Sequence, residues 1–137
     1  MVSYPFWQTV PLRWKDNDVY GHVNNVVHYS LMDTVINTWL IDRGGLDIEA
    51  GEVIGLCVES RCQYHASVSF PGSVRVGLRV AHLGRSSVRY EIGMYTAAEV
   101  LVAEGQFVHV FVDRESRRPV EVTGKLREAL AELVAAD

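Results

Sequence analysis

Long apolar runs, cysteines and surplus positive charge are all scarce in this chain. No stretch approaches the about 18 uninterrupted apolar residues that a membrane helix needs, so no span is expected. Only two cysteines occur, Cys57 and Cys62; five apart in what reads as one strand, they are expected on opposite faces, unpaired and reduced. The net charge of -4 argues against a general nucleic-acid binder, which carries a basic excess. Met1 to Trp7 shows neither a positive n-region nor a long apolar h-region, which reads as a cytoplasmic protein with no membrane partner. There is no low-complexity block, internal repeat or interdomain linker, and 137 residues leave room for one domain spanning 1–137.

What is present is a clear succession of periods. Residues 7 to 14 are apolar and β-leaning and run into a polar turn. From Val26 to Ile41 the period becomes helical, with Val27, Leu31, Val35 and Trp39 at i+4 steps flanked by Met32, Ile36 and Leu40. So wide an apolar arc predicts a helix nearly enclosed by its surroundings, capped by Asn24 or Asn25 and ended by Gly44-Gly45. Period two then takes over. Ile54, Leu56, Val58, Cys62 and Tyr64 predict a strand with one buried face, and the segments 74 to 80 and 88 to 94 form a hairpin about Gly84-Arg85-Ser86. Residues 100 to 112 read as a central strand covered on both faces, bulged at Gly105. Leu126, Leu130 and Leu133 close the chain in a short helix. The expected architecture is α+β: an antiparallel sheet of about five strands curled around one long central helix, its edge strands suited to edge-to-edge pairing in a homodimer.

Asp16-Asn17-Asp18-Val19-Tyr20-Gly21-His22-Val23-Asn24-Asn25 carries the chemistry. It sets two carboxylates, an imidazole, two carboxamides and a turn glycine immediately before the helix. A helix N-terminus offers unpaired N–H groups and a partial positive charge, which stabilise an oxyanion beside a carboxylate that attacks or activates water. A calcium-loop reading fails on spacing, because counting from Asp16 puts Tyr20 at a ligand position and Val27 where a bidentate Glu belongs. His22 and His28 lack a third ligand at helical spacing, so no metal and no cofactor are expected.

With the element order in place, Arg13-Trp14 through Asp18 and Gly21-His22-Val23-Asn24-Asn25 resemble the signature of hotdog-fold acyl-CoA thioesterases of the 4-hydroxybenzoyl-CoA thioesterase type, and the resemblance spans essentially the whole chain. It implies a hotdog fold, a homodimer or homotetramer, and hydrolysis of an acyl thioester of coenzyme A or of acyl carrier protein. It also implies that the second acid of the Asp-x-Asp pair, Asp18, is catalytic. Two departures bear on acyl preference: His28, followed by Tyr29, stands where many relatives carry Tyr, and Asp33 where many carry Glu.

Asp18 then either attacks the thioester carbonyl to give a mixed anhydride or acts as general base on water; the plain alternative is a turn residue accepting backbone N–H bonds. Asp16 either raises the pKa of its neighbour by like charge or fixes the turn through backbone hydrogen bonds, and the second is preferred. His22 binds the thioester oxygen, orients the acid, or makes only a loop hydrogen bond. Asn24 and Asn25 cap the helix and aim its first N–H groups at the carbonyl. Gly21 supplies positive φ or close approach of the ligand, with Tyr20 beside it. His28, Tyr29 and Met32 are placed to line the acyl pocket, with core packing an equal account of Met32. Asp33 is a reserve acid, since other branches of the fold use a helical one, or else a polar contact across the dimer. Arg85, Ser86 and Ser87 are candidates for the coenzyme A phosphates, as basic residues there are in relatives. The rival readings are a non-hydrolytic acyl-thioester binder of the same fold and a hotdog hydratase, for which no second motif is present.

Overall fold

A computed structural model describes residues 3–134. Strand β1 (Phe6–Pro11) leads into a single 3₁₀ turn, Trp14–Asp16. Then follow α1 (Asn25–Asp42), β2 (Val53–Tyr64), β3 (Ser73–Leu83), β4 (Ser87–Thr96), β5 (Leu101–Asp113) and α2 (Gly124–Ala131). The five strands make one antiparallel sheet in the order β1-β3-β4-β5-β2. The first strand is shorter than its sequence suggests: it stops at Pro11, which has no N–H to extend the ladder.

Alternation along the strands turns one face of the sheet toward α1. Val74, Val76, Leu78 and Val80 of β3 and Val88, Tyr90, Ile92 and Met94 of β4 are each no more than 1% exposed. Against them α1 sets Leu31, Met32, Val35, Ile36, Trp39 and Leu40, all buried. At about 1.5–3 kcal/mol per fully buried side chain of this size, this double layer is the main source of stability. The helix is not enclosed as its apolar arc suggests, because Ser30, Asp33, Thr34 and Ile41 form an exposed stripe on the side away from the sheet.

Both ends of α1 follow the sequence. Asn24 is the N-cap, its Oδ1 accepting from Val26 N at 3.0 Å. At the other end Arg43 N and Gly44 N donate to Trp39 O, and Gly45 turns the chain away with φ of 68°. The closing helix docks through Trp39, whose Nε1 donates to Ala129 O at 3.0 Å.

Two features of the sheet depart from expectation. Gly105 is paired in register with both Ile92 and Cys62, so it is no bulge. A Cβ there would collide with Met32 Sδ, and the glycine is what lets α1 settle onto the sheet. The bulge lies in β2 instead, between Cys57 and Glu59. It inserts one extra residue and reverses the alternation, so Cys57 (opposite His109) and Cys62 (opposite Gly105) share the helix-facing side and do not take opposite faces. Both remain free thiols. For the same reason Ile54 and Leu56 do not share a face with Cys62 and Tyr64, and β2, an edge strand, is largely exposed. The outer face of β5 is likewise only half-covered.

Candidate active site

The signature segment is a loop stitched to a second one. Asn17 lays its carboxamide against Phe70, Nδ2 donating to Phe70 O at 3.3 Å and Oδ1 accepting from Phe70 N at 3.0 Å. Ser69 Oγ donates to Gly21 O at 2.8 Å, and Val23 N donates to Val68 O at 2.8 Å. Asp16 is buried, 1% exposed, and takes three bonds from Arg13: backbone N to Oδ2 at 2.8 Å, Nε and Nη2 to Oδ1 at 3.2 and 2.9 Å. Burial alone pushes its carboxyl up, yet the Arg13 hydrogen bonds and charge outweigh burial and hold it below the usual carboxylate range. Asp16 therefore anchors the turn, the preferred of its two readings.

Asp18 is differently placed. It is half-buried, with Oδ1 accepting from Tyr20 N at 2.8 Å and Oδ2 from Asn24 Nδ2 at 3.3 Å. Its backbone closes a tight turn, with Gly21 N donating to Asp18 O at 3.0 Å. Gly21 adopts φ of 85° and has open space where a Cβ would stand, so positive φ is its reason and not close packing. Asn24 thus caps the helix with one end of its carboxamide and steadies Asp18 with the other.

A cavity of about 510 Å³ opens beside this carboxylate, and Tyr20, His22, Asn25, His28 and Tyr64 line it with Asp18. Val26 N is taken by the Asn24 side chain and Val27 N by Asn24 O; Asn25 N has no acceptor among the described residues. Of the first three N–H groups of α1, that of Asn25 alone is thus left without an acceptor among the described residues. His28 is 4% exposed and its Nδ1 lies 3.3 Å from Asn24 O; since a carbonyl only accepts, Nδ1 carries the proton. Burial lowers its pKa, leaving a neutral ring with Nε2 as acceptor. Tyr64 stands edge-on to that ring, centroids 4.9 Å apart at 87°, and its hydroxyl donates to Asn25 O at 2.6 Å. Burial, with the Cys62 thiol nearby, pushes the Tyr64 hydroxyl up to about 12. A second cavity, about 480 Å³, adjoins Asp18 on the side of Trp14, Lys15 and Val19.

The remaining candidates divide. Asp18, Tyr20, Gly21, His22, Asn24, Asn25 and His28 come together around the loop. Met32 is fully buried one turn below His28, and Tyr29 leans toward Phe107, ring centroids 6.3 Å apart; neither borders the cavity. Asp33 lies further along the exposed stripe, bonded by Asn37 Nδ2 at 3.2 Å, and burial raises its pKa despite that bond. Arg85, Ser86 and Ser87 sit at the far end of the sheet, where Ser87 opposes Val110, roughly 30 Å from the loop by strand rise within one protomer. Among the described residues no group of His, Cys, Asp and Glu is placed to hold a metal ion. No helix of the described chain is long and apolar enough to cross a membrane.

Tyr64, His65 and Val68 line the cavity without having been singled out as site residues. Tyr64 ends a strand whose period placed it in a core face, and His65, which meets Glu104 Oε1 at 2.9 Å, carries no local pattern. Only the aromatic at the strand end, just before a polar loop, hints at a wall.

Comparison with known proteins bears on the fold and the family. The PA5185 protein from Pseudomonas aeruginosa is 54% identical and superposes with a TM-score of 0.94, covering 97% of this chain and 94% of that one. PA2801, a putative thioesterase from Pseudomonas aeruginosa, is 28% identical with a TM-score of 0.86, covering 93% and 99%. SAV2348 from Staphylococcus aureus, solved in complex with CoA, shares the fold at 13% identity, with a TM-score of 0.87 over 96% and 87% of the two chains. Residues 12–130 match the family model described as the thioesterase-like superfamily, a stretch that contains the whole loop, α1 and all but the first strand of the sheet. The chain belongs to the thioesterase-like superfamily, whose members share the hotdog fold.

Proposed function

We propose that this chain hydrolyses acyl thioesters of coenzyme A to the free acid and thiol, as in the 4-hydroxybenzoyl-CoA thioesterase type. The observation that carries the reading is that Asp18 and Asn25, whose backbone N–H has no acceptor among the described residues, line one cavity. A thioester carbonyl set against that N–H has its developing oxyanion met by a fixed donor at the positive end of α1. Asp18 then adds to the carbonyl carbon, the C–S bond breaking to leave a mixed anhydride that water cleaves to the free acid and the restored carboxylate, or it takes a proton from a water that adds to the carbon as the C–S bond breaks. In both routes the departing thiolate takes up the proton given up by that water. His22 borders the same space, and neutral His28 offers Nε2 as an acceptor.

The CoA complex of SAV2348 supports a coenzyme A ester as substrate. So does a geometric argument about Arg85. Strand β2 leaves one edge unpaired. If two copies join antiparallel along it about a two-fold axis, the Tyr64 end of one β2 meets the Val53 end of the other. The far end of each sheet then lies beside its partner's cavity. At about 4.8 Å per strand the Arg85 turn of the partner falls roughly 20 Å away, the reach of an extended pantetheine arm. Arg85, Ser86 and Ser87 thereby regain their role at the phosphates, in a cytoplasmic homodimer or a tetramer of two such dimers.

The test is release of free thiol from short, medium, long and aromatic acyl-CoA esters by wild type and Asp18→Asn. Release from at least one ester, falling a hundredfold or more in the variant, is expected. Turnover untouched by the substitution would remove Asp18 from the mechanism.

A further inference from the structure

We infer that His28 and Met32, stacked one turn apart on α1, plug the gap between helix and sheet and so limit the substrate to compact acyl groups. The inference rests on the proposal that the Asp18 cavity receives an acyl thioester, and adds what that cavity admits. The cavity reaches inward as far as His28 and Tyr64. Those two rings meet edge to face, and both are tied to the start of α1, His28 through Asn24 O and Tyr64 through Asn25 O.

The next layer is closed more tightly. Met32, i+4 from His28 and therefore on the same helix face, is 0% exposed. Its thioether rests where a Cβ of Gly105 would stand, so no room is left between helix and strand. Cys62 flanks Gly105 on β2, and behind Met32 along α1 come Val35 and Ile36, both 0% exposed. An acyl chain that enters beside Asp18 meets His28 first and Met32 second. Carbons beyond that layer have no core to enter and must bend out over the Ala66 to Val68 wall, in contact with water.

Chain length then has a readable signature. Each methylene that leaves water in a pocket improves transition-state binding about fourfold, and one that remains wet adds nothing. In a series of straight-chain acyl-CoA esters from C2 to C16, kcat/KM is expected to rise over the first additions and then level off well short of C16. His28→Ala and Met32→Ala each move that plateau to longer chains, whereas Met32→Leu, which keeps the volume, leaves it in place. Retention of the folded state is checked by thermal melting. The same series is measured as affinity for non-hydrolysable S-alkyl-CoA thioethers, so the plug is tested separately from hydrolysis. A plateau in affinity without thiol release overturns the hydrolytic reading and upholds this one. Steady gains to C16 in the wild type, or plateaus unmoved in both alanine variants, overturn the plug; so does failure to bind any thioether.

Discussion

Asn24 Nδ2 meets Asp18 Oδ2 at 3.3 Å while Asn24 Oδ1 accepts the Val26 amide at 3.0 Å, so one carboxamide ties the Asp18 carboxylate to the first turn of α1. The two duties are separable. Asn24→Ser keeps an oxygen at the cap but is too short to reach Asp18; Asn24→Ala removes both. The alanine variant is expected to lose about 1 kcal/mol of stability and the serine variant only a few tenths. Thiol release should fall in both to a similar extent, roughly tenfold. Urea unfolding set beside initial rates checks this, and a serine variant with wild-type turnover would show the Asp18 contact to be idle.

Arg13 and Asp16 give a second expectation. The folded-state pKa of Asp16 lies below its unfolded value, so the unfolded chain takes up the proton first as pH falls. Its stabilising contribution is present above about pH 4 and is lost as pH drops through the folded pKa. Arg13→Ala leaves a buried carboxylate short of its charged partner and should cost about 1–3 kcal/mol at pH 7. Arg13 is half-exposed, and water can replace part of its bonding, which favours the lower end. The acid limb of the stability curve should also move to higher pH, as chemical unfolding between pH 3 and 7 would register.

His109 acts in a different window. It is 3% exposed, pairs with the Tyr90 hydroxyl at 3.2 Å, and burial lowers its pKa to about 4. Between about pH 6.5 and 4 the unfolded chain binds a proton that the folded chain refuses. Stability should therefore be complete above pH 6.5, decline by about 3 kcal/mol on the way to pH 4, and show no further loss from this group below it. His109→Gln should remove that slope. Equal slopes in the two proteins would refute the assignment.

Val58, 59% exposed at the β2 bulge on the open sheet edge, tests the assembly. Val58→Asp should change the stability of an isolated protomer by no more than about 0.5 kcal/mol, as for other exposed positions. Across a two-fold axis it would set like charges together and expel apolar contact. Sedimentation equilibrium is expected to show a dimer in the wild type and a monomer in the variant, with activity falling as the partner's Arg85 turn is lost.

Much of this architecture is legible locally. Asn24 as cap, Gly44-Gly45 as terminator and the alternation through β3 and β4 each depend on residues within a few positions of one another. The same is true of Asp18, which sits in a dense polar motif at a helix start. What escapes the sequence depends on distant partners. One inserted residue at Val58 reverses which side Cys57 shares, and periodicity has no means of registering it. Gly105 reads as a bulge, but its reason is the approach of Met32 from another element. Tyr64 becomes a wall of the cavity only because β2 ends beside Asn25. Exposure along α1 likewise depends on the sheet covering one side only.

The two-point bond between the Asn17 carboxamide and the Phe70 backbone braces the two loops that flank the Asp18 cavity. It fastens the acid-bearing loop to the chain that continues back into the opposing wall, so both sides of the opening travel as one body. A mouth braced in this way is expected to keep the width that folding gives it. Under the proposed function, discrimination would fall to shape and reach, with acid and amide aligned before any ester arrives.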